Sequence, residues 1–287
     1  MIYILLSISC SVTVAVLLKL AKRYKINVLQ AVLSNYLFAI ILGCIFFRPD
    51  IKSLTVTPSL PYIALGILLP VLFLILAASV RRIGIVKTDI AQRLSLFIPI
   101  IASLYLFGET FNGLKIAGLI VGFSAIFFTL TRPSTVKTQN NNYVYPILVF
   151  IGFGIIDILF KQLAGNKAIP YTTAIISVFC ISFIVALIAI TYTVLIKKQK
   201  IELINLICGG ILGVFNFGNI LFYMKAHRAM ADNPSTVFAA MNMGVILAGS
   251  VIGIIIFKEK VSKLNILGII LALAAIILIT LSQQHAV

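Results

Sequence analysis

Apolar segments of about twenty residues, the length of a membrane-spanning helix, follow one another along nearly the whole chain. Such helices satisfy their own backbone hydrogen bonds, as hydrocarbon requires. The composition agrees, because 10% of the residues are charged, against about 25% in soluble domains. The segments are too continuous for the alternating strands of a membrane barrel. The sequence therefore predicts an all-α membrane protein with ten transmembrane spans, numbered 1 to 10 in chain order: 2–21, 27–47, 60–80, 84–107, 112–131, 144–164, 170–195, 202–225, 233–257 and 263–282.

The chain also repeats itself. The stretch LFGETFNGLKIAGLIVGFSAIF matches IFKEKVSKLNILGIILALAAII without a gap, 150 residues further on, and pairs Glu109 with Glu259. One long polar segment, 132–142, separates five spans from five. Because each half holds an odd number of spans, the second copy is inverted in the membrane, a plan common among secondary transporters. We therefore predict two inverted five-helix repeats, 1–131 and 143–287, joined by this linker.

This plan and its motifs resemble the EamA-like branch of the drug/metabolite transporter superfamily. The motif FGE at Phe107–Glu109 closes span 4, and FKE at Phe257–Glu259 is its counterpart before span 10. The segment Ala91–Glu109 is similar to the fourth helix of many members. The resemblance implies a secondary transporter in a bacterial plasma or inner membrane that exports small metabolites by alternating access. It also implies a cavity lined chiefly by spans 3, 4, 8 and 9, with help from 1 and 6.

Two classes of function fit the sequence. The first is a secondary transporter, which the repeat and the polar stripes favour. The alternative is a non-transporting membrane protein that binds lipid or assists assembly. Nucleotide-binding, HExxH and GxSxG motifs are absent, and with two histidines and no CxxC we expect no enzyme activity, metal or cofactor. The net charge of +16 lies mainly in short loops, so the expected partners are lipid and a small solute, not nucleic acid. The expected state is a monomer or a homodimer.

Polar residues in span 4 are the first site candidates, since charges in a membrane helix are costly. Asp89, Gln92 and Arg93 share one side of the helix. Asp89 and Arg93 either neutralise each other near the interface or line a cavity, and we predict that Gln92 and Arg93 bind solute. Asn242 in span 9 lies 150 residues after Gln92. Both repeats therefore place a carboxamide at the same point, and Asn242 is predicted to bind solute too.

The same separation relates two pairs of structural residues. Pro99 and Gly249 put helix breakers at matching positions of the two halves, which points to a transporter site. The competing interpretation for Gly249 is close helix packing through a GxxxG motif with Gly253. Glu109 and Glu259 each precede a helix start, where a carboxylate favours the positive end of the helix. We assign both to turn stabilisation.

Spans 8 and 6 supply the remaining candidates. Asn216, Asn219 and Tyr223 form a polar stripe on span 8 that either bonds to a neighbouring helix or faces solute; we predict solute binding. Asp157 and Lys161 lie one turn apart in span 6. They form either a structural ion pair or a coupling site for a proton or cation, with Asp157 as the main candidate because it is a carboxylate in an apolar stretch.

The basic residues predict the orientation. The loops after spans 1, 3, 5, 7 and 9 hold most of the 23 Lys and Arg residues. The positive-inside rule places these loops in the cytoplasm and both termini outside, whereas the family resemblance implies cytoplasmic termini. Following the charges, we expect a C-terminal reporter that works only in the cytoplasm to stay inactive. An active reporter would reverse the assignment.

Overall fold

The computed structural model describes residues 1–24, 26–47, 49, 60–83, 85–130, 144–165, 170–256 and 262–284. Its elements are α1 Ile2–Arg23, α2 Val28–Phe47, α3 Leu60–Ile83, α4 Ile85–Leu94, α5 Phe97–Tyr105, α6 Gly113–Leu130, α7 Val144–Gly165, α8 Tyr171–Leu195, α9 Leu203–Ala229, α10 Pro234–Ile255 and α11 Lys263–Gln284. Within these residues, seven helices (α2, α3 and α7–α11) are long and apolar enough to cross a membrane. The prediction of an all-helical membrane fold is confirmed. The predicted linker 132–142 and Glu259 lie outside the described residues.

Span 4 is two helices, not one. The break falls at Ser95 and Leu96, four and three residues before Pro99. Proline has no N–H to donate, and its ring clashes with the carbonyl one turn earlier, so the Ser95 carbonyl accepts from the amide of Ile98 instead. The Ser95 hydroxyl donates to the Gln92 carbonyl at 2.6 Å. The predicted kink at Pro99 is thus a full interruption between α4 and α5.

The second half has no matching break. Helix α10 runs unbroken through Gly249, so the expectation of matching breaks in both halves is wrong. The packing alternative for Gly249 is also wrong, because a Cβ there would meet nothing within 4 Å. Gly118 does pack closely, since its Cβ would lie 2.7 Å from the side chain of Ile279 on α11. The glycines of α6 therefore bring α6 and α11 together.

Side-chain caps fix where several helices begin. The Asn27 side chain accepts the amide of Leu29 at the start of α2. Asn112 accepts the amide of Lys115 at the start of α6. Ser262 accepts the amide of Asn265 at the start of α11, and Asn265 bonds back to Ser262. These bonds satisfy backbone donors that a helix leaves free at its first turn.

Most of the extensive packing joins helices that are distant in sequence. Helix α1 packs on α9 and α10, while α7 packs on α3, α4 and α5. Helix α2 packs on α9 and α8, and α3 packs on α8 as well as α7. The helices before residue 131 are therefore interleaved with those after residue 143, and the two sets form one bundle.

Side-chain contacts identify the two ends of this bundle. Near the N-terminus, Tyr3 lies under the ammonium group of Lys225, 5.7 Å from ring centre to nitrogen. Near the C-terminus, the Ser282 carbonyl accepts a 2.8 Å bond from Asn112. Asn112 precedes α6, whose Lys115 bonds to Asn233 in the turn after α9. The beginning of α1 and the end of α11 thus lie at the same end of the bundle, which we name the termini end.

A buried carboxamide pair ties the helices at the opposite end. The Gln30 side chain donates to the Lys200 carbonyl at 2.8 Å and accepts from the Glu202 amide and the Asn205 side chain at 3.0 and 2.9 Å. Asn205 also accepts the amide of Asn27 at 3.1 Å. We name Gln30 and Asn205 the opposite-end clasp. It joins the start of α2 to the start of α9.

The contact between α2 and α9 generates a test of this packing. A Cβ at Gly213 would lie 2.5 Å from the Asn35 carbonyl oxygen, a backbone atom that cannot move aside. Gly213→Ala should therefore lower the free energy of unfolding by about 1–3 kcal/mol, measured by thermal or denaturant unfolding in detergent. Gly249→Ala is the matched control, because its Cβ enters open space. Equal stability of the two variants would contradict the packing.

Candidate functional site

Asp157 and Tyr223, which the sequence assigned to different roles, are in direct contact. Tyr223 Oη on α9 donates a 2.8 Å hydrogen bond to Asp157 Oδ1 on α7. The Tyr223 ring is buried and packs edge-on against Phe160, with ring centres 6.0 Å apart. A hydroxyl donor satisfies one carboxylate oxygen without neutralising its charge. Tyr223 therefore gives Asp157 a hydrogen-bond donor but no counter-charge.

Lys161 does not pair with Asp157, although one turn of α7 separates them. Its ammonium group donates to the carbonyl of Ala231 in the turn after α9. It also lies 5.8 Å from the ring centre of Phe107. In the described part of the chain, Asp157 forms no salt bridge. The alternative of a structural Asp157–Lys161 ion pair is therefore wrong, because the two side chains have different partners.

The three residues of the predicted polar stripe on α9 have different surroundings. Asn219 accepts the Ser7 hydroxyl of α1 at 2.8 Å, so it makes a bond between helices. Tyr223 reaches Asp157 on α7, as described above. Asn216 is buried, and its amide nitrogen has no hydrogen-bond partner among the described residues. Of the three, Asn216 is the one whose buried donor lacks a partner among the described residues.

The candidates of span 4 and span 9 differ in their local bonding. Arg93 Nε lies 3.5 Å from Asp89 Oδ1, so the pair that the sequence allowed does form on α4. Gln92 and Asn242 are both half-buried. The Asn242 side chain donates to the Phe238 carbonyl of its own helix at 3.1 Å. Helix α5 packs on α10, which brings the end of span 4 close to span 9.

Glu109 stabilises a helix start, but that helix is in the other half of the chain. Its carboxylate accepts the amide and the hydroxyl of Ser235 in the first turn of α10, at 2.9 and 2.6 Å. Lys115 Nζ lies 2.7 Å from Glu109 Oε1 and also donates to Asn233. Glu109, Lys115 and Ser235 are buried. We name these three residues the termini-end clasp.

Two cavities flank the beginning of α2 at the opposite end. One, of about 520 Å³, lies between α1, α2 and α9 and is lined mainly by apolar side chains such as Val28 and Leu212. The other, of about 570 Å³, is lined in part by Asn27, Arg82 and Gln199. None of the predicted solute-binding residues lines either cavity. These cavities are therefore separate from the Asp157–Tyr223 contact.

Sequence reasoning missed His227. Its ring is 1% exposed and lies between Tyr223 and Phe238, with centres 4.6 and 4.7 Å away. The predicted span ended at Lys225, whereas α9 continues to Ala229. A signal was present, because His227 follows Asn216 and Tyr223 at a spacing that keeps all three on one helix face. Extending the stripe beyond the predicted span would have found it.

Comparisons with known proteins agree with this architecture. Residues 1–131 match the model of the EamA-like transporter family. An uncharacterized protein of Haemophilus influenzae is 42% identical over 283 residues, with 95% of each chain covered. One crystal structure superposes with a TM-score of 0.76 at 12% identity, covering 100% of this chain and 98% of the other. That likeness shows a shared fold.

The apolar helices and these matches define a multi-pass membrane protein. The chain belongs to the EamA-like transporter family, so the resemblance drawn from its motifs is confirmed. Members of this family are transporters, not enzymes.

The termini-end clasp gives a test at this site. Glu109→Gln leaves the buried Lys115 without a counter-charge and should lower the free energy of unfolding by about 3–5 kcal/mol. Asp89→Asn is the control, because its partly exposed ion pair is worth only about 0–1 kcal/mol. Both are measured by reversible unfolding in detergent or bicelles. A Glu109→Gln variant as stable as Asp89→Asn would show that the clasp adds no stability.

Proposed function

We propose that this protein is a secondary transporter that exports a small polar metabolite across the plasma or inner membrane by alternating access. The observation that carries the proposal is that helices before the linker pack on helices after it, and that these contacts come in matching pairs. If α1 is equivalent to α7, and α3 to α9, then the α1–α9 contact has the α7–α3 contact as its counterpart. The α2–α9 contact likewise corresponds to the α8–α3 contact.

Three further contacts fit the same pattern. Helices α2 and α8 pack on each other, as do α6 and α11, and each pair holds equivalent members of the two halves. Helix α5 of span 4 packs on α10, which is span 9. These contacts support the proposal of two five-helix repeats related by a two-fold axis, with ten transmembrane spans. The family match over 1–131 covers the residues of the proposed first repeat.

Alternating access needs two gates, and the clasps are suitable groups for them. The termini-end clasp joins Glu109 of the first repeat to Ser235 of the second. The opposite-end clasp likewise joins Gln30 to Asn205. Transport requires each end to open in turn, so the bonds of the clasp at the opening end must break and re-form.

The solute site in this proposal lies between spans 4, 8 and 9. Gln92, Asn216 and Asn242 offer carboxamide donors and acceptors without net charge, which suits a polar organic solute. Arg93 would attract a carboxylate or phosphate on that solute, although Asp89 offsets part of its charge. Asn219 and Tyr223 lie on the same helix as Asn216 but are bonded to other side chains. They can bind solute only if those hydrogen bonds are replaced by bonds to the solute.

Coupling to a proton is assigned to Asp157. It is a carboxyl group between two helices, bonded to a hydroxyl rather than to a cation. A proton on Asp157 would remove a charge from the bundle interior and so favour the conformation in which this region is most tightly closed. The ammonium group of Lys161, which bonds to the Ala231 carbonyl, would also influence this region electrostatically.

A first test concerns the two carboxamides. Gln92→Leu and Asn242→Leu should reduce efflux at least tenfold in vesicles screened with a metabolite panel, because each removes a neutral solute contact. Thr191→Val is a matched control, since its hydroxyl also bonds to its own helix, at 2.8 Å, but faces outward. Leu variants that lose thermal stability yet transport at the control rate would remove both residues from the site.

A second test concerns Asp157. Asp157→Asn keeps the shape and an acceptor for Tyr223 but cannot exchange a proton, so the pH dependence of transport should flatten. The measurement is the initial rate of efflux over about three pH units around neutrality, from about pH 5.5 to about pH 8.5. Unchanged pH dependence would leave Asp157 with a structural role alone.

The alternative, a non-transporting protein that binds lipid, is tested by the same vesicles. Empty vesicles and vesicles with the protein would then give equal efflux for every metabolite in the panel.

A further inference from the structure

His227 occupies a position that nothing in the proposed solute site uses. It lies in the last turns of α9 at the termini end and is 1% exposed. Neither ring nitrogen has a hydrogen-bond partner among the described residues. A buried polar atom without a partner has lost its hydrogen bonds to water and is unfavourable. The ring nitrogens of His227 are therefore suited to a transient partner, such as a water molecule or a proton.

The position of His227 on α9 extends a line of polar groups. Asn216, Tyr223 and His227 share one face of the helix and span about 16 Å along its axis at 1.5 Å per residue. Tyr223 stands between the other two, and its hydroxyl is bonded to Asp157. The line leads from the middle of α9 to the termini end. It passes the carboxyl group to which coupling is assigned.

We propose that His227 carries the proton between Asp157 and water at the termini end, with Tyr223 as the intermediate. His227 takes a proton from water at its free nitrogen and becomes an imidazolium. It passes that proton, through a water molecule, to Tyr223 Oη, while Tyr223 gives its own hydroxyl proton to Asp157 Oδ1. Asp157 becomes neutral, His227 returns to the neutral imidazole, and Tyr223 is unchanged. This relay rests on the proposed coupling role of Asp157.

The charged groups around His227 act on its ability to hold a proton. Lys161 of α7 acts on His227 electrostatically and, being a cation, opposes the imidazolium, while the carboxylates Glu109 and Asp232 act on Lys161 and offset part of its charge. Two other cations of α9 at this end contact aromatic rings: Lys225 lies over Tyr3 of α1, and Arg228 lies over Tyr171 of α8. On α6, Lys115 forms an ion pair with Glu109. Helix α10 offers the hydroxyl of Thr236, which has no hydrogen-bond partner among the described residues.

His227 is buried close to bonds that hold the turn between α9 and α10. Lys161 bonds to the Ala231 carbonyl within this turn, and Glu109 of the termini-end clasp bonds to Ser235 just after it. Because His227 precedes this turn by a few residues, opening the end would expose its ring. Proton exchange with the termini side would then occur in one of the two access states, as coupled transport requires.

The protein itself permits a direct measurement, because it contains two histidines, His227 and His285. The full chain is labelled with ring-¹⁵N histidine, carries His285→Ala, and is titrated by NMR in lipid nanodiscs. The His227 signals should titrate, and Asp157→Asn should shift their midpoint by about one pH unit or more, as expected for interacting groups. Asp89→Asn is the matched control and should leave the midpoint in place.

Signals that keep one ionisation state from about pH 4.5 to 9 would overturn the relay, since unperturbed histidine titrates near pH 6.5. A midpoint that is the same in the parent and in Asp157→Asn would also overturn it. This measurement does not depend on transport, so it separates the relay from the proposed function.

Transport supplies the second readout. His227→Gln keeps hydrogen-bonding groups but cannot carry a proton, so it should remove the pH dependence of efflux while a folded protein is still obtained. His227→Asn serves as a second variant if His227→Gln unfolds. If Asp157→Asn flattens the pH profile and both His227 variants keep it, the relay is wrong and the proposed transporter stands. If no vesicle shows efflux, the proposed function fails and the NMR result decides the relay alone.

Discussion

Hydrocarbon offers no hydrogen bonds, and this constraint governs where every polar side chain of the bundle can lie. The helices satisfy their backbones internally, so polar side chains bond either to carbonyls of their own helix or to partners on other helices. Ser34 donates to the Leu206 carbonyl and Ser182 to the Gly66 carbonyl, each between helices that are distant in sequence. Such bonds fix the relative position of helices whose apolar surfaces would otherwise pack equally well in several registers.

The two ends of the bundle meet this constraint with different chemistry. At the opposite end, the neutral carboxamides Gln30 and Asn205 bond to each other and to nearby backbone groups, and Asn205 also donates to the Glu202 carboxylate at 3.3 Å. At the termini end, Glu109 and Lys115 form a buried ion pair that also holds the first turn of α10. A neutral clasp is short-range, whereas a charged one responds to every nearby change of charge. In the proposed mechanism, a change in the charge of Asp157 would therefore affect the termini-end clasp more than the opposite-end clasp.

Equivalent positions in the two halves do not have equivalent surroundings. Gln92 and Asn242 are related by the repeat, yet Gln92 lies three residues before an interruption and Asn242 lies in a continuous helix. Pro99 predicted a helix breaker at this point, because a missing donor and a clash act locally, but not that span 4 divides into two helices. The environment of Asp157 could not be predicted in this way. Its contact with Tyr223 joins residues 66 apart in sequence, and its spacing from Lys161 suggested a pair that does not form.

The sequence by itself determined the helical membrane class, most helix positions, the helix breaker at Pro99 and the family. These depend on length, hydropathy and local backbone chemistry, which neighbouring residues settle among themselves. Only the tertiary structure decided that Glu109 meets α10, that Asp157 bonds Tyr223, and that His227 is buried beside them. Each of these contacts depends on how α7, α9 and α10 rotate and pack, and in an apolar bundle hydropathy leaves that rotation open.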